Sequence, residues 1–214
     1  MIKDNLTFVS FMFLIIFPFI IQCTGNHSKD TKGSKVEEII IVCKTHFDIG
    51  YTERVDQIVE YYRTEMIAKA LDNLDKSKDM PPEQQFTWTG PGWVMEKVAE
   101  DWDGQTPMRR LRLEQAFKSG QFVTHSMPFT YETDVVSPEL LARSYQPSSS
   151  VSRKYGLPLS RDAKMTDVPS HSRLLATALS RGGVKFIHIG CNRVSCSVQY
   201  PDLFWWEGPD GSRV

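Results

Sequence analysis

From Val36 onward, short runs of strand-forming residues alternate with longer stretches of helical periodicity. That order is the strongest constraint on the fold. Parallel strands need a crossover between them, usually a helix, so a β-then-α alternation specifies βα units on a parallel sheet. The run "EEIIIVCKTH" predicts the first strand. In "TERVDQIVEYYRTEMIAKALDNLDKS" the residues Val55, Ile58, Val59, Tyr62, Met66, Ala70 and Leu71 recur at helical intervals, with Thr52 placed as an N-cap and Met80-Pro81-Pro82 as a stop. A second strand follows at "FTWTG" (Phe86 to Gly90), then a helix opened by Pro91 and another ending at Gly120. "QFVTHSMPF", "RDAKMTDV" and "VKFIHIG" supply strands three to five. Between them lie a helix from Ser137 that Pro147 interrupts, and a helix "SHSRLLATALSRGG". Five such strands cannot close a (β/α) barrel, and Phe204, Trp205 and Trp206 need cover near the end of the chain. The sheet therefore either stays open or belongs to a longer chain.

A chain of 214 residues is long enough to bury about 70% of its unfolded surface in one domain. A net charge of −1 offers no electrostatic reason to bind nucleic acid or an anionic surface. Residues 1–23 have a different character. Lys3 precedes an apolar run from Phe8 to Ile21 that Pro18 interrupts and Gln22-Cys23 ends. This is the layout of a secretory signal, and the run is shorter than the roughly 20 residues of a spanning helix. "IIQC" resembles a bacterial lipoprotein signal, which makes Cys23 the candidate lipidation site, although Gln22 stands where such signals prefer a small residue. The alternative is ordinary cleavage a few residues later. Either way the chain is expected to be exported, as a periplasmic or outer-membrane lipoprotein or as a secreted protein. Residues 24–35 read as a flexible polar linker. Cys43, Cys191 and Cys196 form no metal-ligand spacing.

The chemistry concentrates at strand ends. In extended chain, residues i and i+2 share a side, so His46 and Asp48 in "THFDIGYT" can aim an imidazole and a carboxylate at one point past the first strand. In parallel α/β folds ligands bind at that end. Zinc accepts both donor types. Taken alone, however, the pair is also what a solvated strand end looks like. Asp167 in "AKMTDVPSH" stands at the end of the fourth strand, with His171 entering the next helix; there the plainer assignment is a turn or cap former. For His125 and His188, within apolar strands, a hydrogen-bonded core or rim histidine is the simpler assignment. Trp88, Trp93, Trp102, Trp205 and Trp206 could stack on sugar faces or serve as packing residues.

These motifs carry a family resemblance. "THFDIGYT" resembles the H-x-D-x-G-aromatic signature of glycoside hydrolase family 38, the α-mannosidases, and "AKMTDVPSH" resembles that family's D-x-x-x-H segment. With "WTGPGW", "IHIGCN" and "LFWWEGPDG", the wording is most similar to a less characterised bacterial mannosidase-like branch. The resemblance covers about Val36 to Val214. It implies a (β/α)7-type barrel with parallel strands, of which about five βα units are present, in an N-terminal part of the catalytic domain spanning 36–214. It implies Zn2+ held by His46, Asp48 and Asp167, with Asp167 also the catalytic nucleophile. Tyr51 would flank the sugar, and His171 would support the metal ligands from behind. The implied activity is retaining hydrolysis of α-linked glycans or oligosaccharides. The family's fourth zinc ligand and general acid match nothing after Asp167; Asp202, Glu207 and Asp210 are carboxylates without an assigned role. The expectation is thus a truncated, inactive portion whose missing partner is the C-terminal half of the catalytic domain. A non-catalytic carbohydrate-binding or scaffold remnant is the alternative, and a zinc polysaccharide deacetylase a more distant one.

Overall fold

The computed structural model describes residues 36–168, 170–190 and 201–214. The expected signal segment 1–23 with Cys23, the linker 24–35, and Cys191 and Cys196 all lie outside the described residues. Glu38–Val214 forms one folded unit.

Among the described residues five strands and seven α-helices alternate much as the periodicity requires. The order is β1 (Cys43–Lys44), α1 (Val55–Tyr61), α2 (Ile67–Ser77), β2 (Trp88–Pro91), α3 (Gly92–Ala99) and α4 (Pro107–Lys118). Then come β3 (Phe122–His125), α5 (Pro138–Arg143), α6 (Gln146–Tyr155), β4 (Asp162–Thr166), α7 (Leu174–Arg181) and β5 (Phe186–Gly190). One wider π-helical turn, Tyr62–Met66, joins α1 to α2. All named pairings are parallel. β1, β2 and β3 form one sheet with Cys43 opposite Trp88 and Trp88 opposite Phe122; β4 and β5 form a second with Lys164 opposite His188. Fold class is therefore mixed α/β with parallel strands in small sheets, and no closed barrel is formed among the described residues.

The two sheets meet along a hydroxyl-rich seam. The Ser126 N–H donates to the Asp162 carbonyl at 2.9 Å, and the Ser126 hydroxyl donates to the Ser160 carbonyl at 3.2 Å. The Ser160 hydroxyl returns a bond to the Thr124 carbonyl. On the other side, the Ser148 hydroxyl of α6 donates to the Ser126 carbonyl at 3.3 Å. Side chains thus satisfy backbone groups where β3 and β4 are too short to run a full ladder.

Two apolar clusters sit behind the sheets. In the larger, Phe47, Tyr62, Ile67, Trp88, Val94, Phe117 and Phe122 pack between the first sheet and its helices; Phe117 stacks on Tyr155 at 4.6 Å and meets Phe122 edge-on. The smaller joins Met127, Leu141, Met165, Leu175 and Leu179. Val214 enters it because a hairpin bond pair, Trp206 to Val214 in both directions, turns the chain back.

Several boundaries move for physical reasons. The first strand is confined to Cys43–Lys44, while Ile39, Ile40 and Ile41 are 77–82% exposed. β2 begins only at Trp88, opposite Cys43, so the isoleucines have no strand beside them to pair with. Thr52 does not cap α1, whose first residue is Val55; its hydroxyl donates instead to Asp48. Pro147 does not merely kink a long helix: it sits in the first turn of α6, where its missing N–H costs nothing. Thr106 and Ser137 accept from Arg109 and Leu140 N–H groups at 3.2 Å and cap α4 and α5. Among the described residues no helix is long and apolar enough to cross a membrane.

The contrast between Ile67 and Ile41 is directly measurable. In urea unfolding, Ile67→Ala is expected to lose about 2–5 kcal/mol and Ile41→Ala to stay within about 0.5 kcal/mol. Equal losses would place Ile41 in the core.

Candidate functional site

His46 and Asp48 lie just past β1, and the buried Phe47 between them explains their direction. Phe47 turns into the core, where it meets Tyr62 edge-on at 5.1 Å and Trp93 at 5.9 Å. In extended chain its two neighbours must then point the other way. Tyr62 fixes this segment further, because its hydroxyl lies 2.9 Å from the Thr45 hydroxyl and 3.1 Å from the His46 carbonyl. Burial raises the Tyr62 pKa, which keeps the phenol protonated as a donor. Gly50, at φ +80, then turns the chain toward α1, a conformation that an L side chain rarely adopts.

Asp167 arrives from the other sheet, directly after β4. Its backbone N–H donates to the Gly190 carbonyl at 2.9 Å, which ties the residue to the end of β5. Its φ of +74 makes it the one non-glycine residue with positive φ among those described. Aspartate tolerates this left-handed region better than most residues, yet the conformation still costs energy, and such strain gathers at functional sites. The result is a contact between sheets. His46 Nε2 lies 3.5 Å from Asp167 Oδ2, with both side chains about half exposed. In a flat sheet, three strand spacings of about 4.8 Å would separate β1 from β4. Contact across that span requires the ends of the two strands to lean toward each other.

His46, Asp48, Tyr51, Thr130 and Asp167 line one open cavity of about 380 Å3. The sequence-predicted residues do not all converge in it. Asp48 Oδ2 accepts from the Thr52 hydroxyl at 2.5 Å. Tyr51 is 94% exposed at the rim, where its ring is open to a ligand. His171 stands apart: Nδ1 is 3.4 Å from the Thr133 hydroxyl, the ring lies 6.4 Å from that of Trp206, and Nε2 is buried without a partner. Burial lowers its pKa, while Glu132 and Asp134 pull in the opposite direction. Among the described residues no three His, Cys, Asp or Glu side chains are close enough together to hold a metal ion. The donor types nevertheless suit zinc, with one imidazole and two carboxylates facing a single cavity.

No protein-family model and no curated protein matches the chain. Solved structures do match. An α-mannosidase from Enterococcus faecalis V583 aligns with 81% of this chain at 16% identity and a TM-score of 0.62, using 19% of its own length. A protein in glycosyl hydrolase family 38 from Enterococcus faecalis aligns with 81% of this chain at 16% identity and a TM-score of 0.54, using 18% of its length. This chain shares its fold with part of these two structures. It spans about a fifth of their length, and at this identity the likeness is one of fold alone.

Some neighbours of the site give little signal in sequence. Tyr62 reads only as an apolar helix position, and nothing in its spacing reveals that it holds the His46 backbone. Lys44, His125 and Lys164, from three different strands, share a small cavity that also touches His46. The remaining orphan carboxylates are committed elsewhere. Asp210 accepts from Thr177, Ser212 and Arg181, and these bonds hold its carboxyl well below the usual range. Glu207 pairs with Arg213 at 2.8 Å. Asp202 lines a separate cavity of about 430 Å3 beside β5.

The strained backbone at Asp167 predicts an ordering of variants. Asp167→Gly is expected to be more stable to urea than Asp167→Ala by roughly 1 kcal/mol, because glycine adopts positive φ freely. The reverse order would show that the Asp167 backbone is unstrained.

Proposed function

We propose that this chain carries the metal-binding and nucleophile portion of a zinc-dependent retaining α-glycosidase, α-mannosidase-like, that acts on α-linked glycans or oligosaccharides. The observation that carries the reading is the His46–Asp167 contact at 3.5 Å between the C-terminal ends of two parallel strands. Ligands gather at those ends in parallel α/β folds. The family 38 motifs fall on the same two ends, and the fold shared with two family 38 structures supports the choice. On this reading the two small sheets are consecutive portions of a (β/α)7-type barrel. The leader with Cys23 fits an exported or lipid-anchored enzyme.

The chemistry required of this chain is modest. Asp167 presents a carboxylate oxygen to the anomeric carbon, and the bond it forms there replaces the glycosidic C–O bond, whose electron pair leaves with the departing oxygen. That oxygen needs a proton from a second carboxyl group about 5–5.5 Å from the nucleophile. Asp202, Glu207 and Asp210 do not line the Asp167 cavity, so the acid belongs to residues other than these. Water, giving a proton to that second carboxylate, then attacks the same carbon, breaks the bond to the Asp167 oxygen and releases the sugar with its original configuration. His46, Asp48 and Asp167 would hold zinc, which can bind sugar hydroxyls and favour the distorted ring. His46 orients the Asp167 carboxylate, and Tyr51 offers a ring face to the sugar. His171, hydrogen-bonded to Thr133, supports the segment after Asp167 rather than reaching the cavity.

In the full-length protein, an aryl α-mannoside should be hydrolysed with retention, read from the product anomer by NMR. Asp167→Ala should lower kcat about 10⁴-fold. An inverted product, or an Asp167→Ala variant at the wild-type rate, would overturn the mechanism.

A further inference from the structure

Directly below the candidate site is a second, much smaller cavity of about 20 Å3, lined by Lys44, His46, Thr89, His125, Lys164 and neighbouring residues. That volume admits one water-sized particle. Its lining is unusual in charge: it brings together two lysines and two histidines with hydroxyls such as Thr89, and it includes no aspartate or glutamate.

The acids near these groups are Asp162, which attracts Lys164, and Asp167, 3.5 Å from His46; neither lines the cavity. Among the described residues neither Lys44 nor Lys164 makes a hydrogen bond or ion pair in the structure, whereas most other lysines and arginines near a carboxylate do. Lys44 is at the open rim, Lys164 is half-buried on β4, and His125 is 5% exposed on β3. Lys44 pairs with Thr89 and Thr89 with Val123, and His125 lies two residues farther along the same face of β3; Lys164 comes from β4 across the seam. Asp162, two residues before Lys164 on the same strand, is the nearest acid along the chain, and it does not line the cavity. His188, across from Lys164 in the ladder, adds another basic group on the β5 side.

An independent sign comes from His125. Its Nδ1 is shielded from solvent and has no partner. In the Nδ1–H tautomer that atom is an orphaned donor, and a buried donor left unpaired is unfavourable. Burial first, and then Lys164 and Lys44, depress its pKa to about 3, so the imidazole is neutral at ordinary pH. A monatomic anion in that space would be lined by Lys44, Lys164, His125 and threonine side chains.

We infer that the cavity lined by Lys44, His125 and Lys164 is a binding site for a single monatomic anion, chloride in practice. The cavity shares His46 with the candidate sugar site, but anion binding there does not depend on the glycosidase reading. An anion there would neutralise the floor beneath His46 and hold the ends of β1, β3 and β4 together.

The test uses the metal-free chain with chelator present, so a failure of the zinc reading cannot affect it. Chloride-35 NMR should show line broadening that saturates, that bromide displaces, and that sulfate at equal ionic strength does not. Lys164→Met and Lys44→Met should each weaken the apparent affinity at least ten-fold. Urea unfolding provides the second arm. Replacing gluconate with chloride at fixed ionic strength should raise the wild-type midpoint, and Lys164→Met should remove that dependence while remaining folded. Broadening that does not saturate, or a wild-type midpoint indifferent to chloride, would mean that the cavity holds only water. Undiminished affinity in both variants would equally overturn the proposal.

Discussion

The seam between β3 and β4 is the constraint on which the rest of the arrangement depends. A single backbone bond from Ser126 to the Asp162 carbonyl, reinforced by the Ser160 and Ser126 hydroxyls, fixes the second sheet beside the first. Hydroxyl side chains suit this role because both strands are short and their remaining carbonyls would otherwise be unpaired in a half-buried place. Were β4 to slip by one residue along this seam, Met165 and Ala163 would exchange places with Lys164 and Thr166, and the smaller apolar cluster would lose its centre. The same slip would carry Asp167 away from His46.

Site geometry follows from packing on both sides of that seam. Phe47 is drawn into the core, so His46 and Asp48 face the cavity; Tyr62 pins the backbone between them. On β4 the alternation buries Ala163 and Met165, and the strand then ends in a left-handed residue tied to Gly190. Hydrophobic burial therefore aims polar groups here, because each carboxylate or imidazole of interest is next to, or two residues away from, a residue the core has claimed. Lys44, His125 and Lys164 line a small cavity that also touches His46.

Much of this arrangement is legible in the sequence, and the limits have physical causes. β2 to β5 fall where the strand-forming runs are, because each run has a neighbour to pair with. The isoleucines before Cys43 have the same propensity and form no strand, which shows that β propensity needs a partner rather than a composition. His46, Asp48 and Asp167 are readable from motif spacing as a possible cluster. That Asp48 bonds Thr52, and that His171 turns to Thr133, depends on side-chain rotations that spacing does not encode. Tyr62 is invisible as a site residue because its hydroxyl acts across sixteen positions of chain, on a carbonyl.

The central claim is that β1 and β4 end in one metal site. Zinc titration of the chain by calorimetry, with X-ray absorption on the loaded protein, tests it most directly. The account predicts one tightly bound zinc with nitrogen and oxygen ligands near about 2.0–2.2 Å and no sulfur. It also predicts that His46→Ala, Asp48→Ala and Asp167→Ala each weaken binding at least ten-fold. Zinc bound equally well by all three variants, or through sulfur, would contradict it.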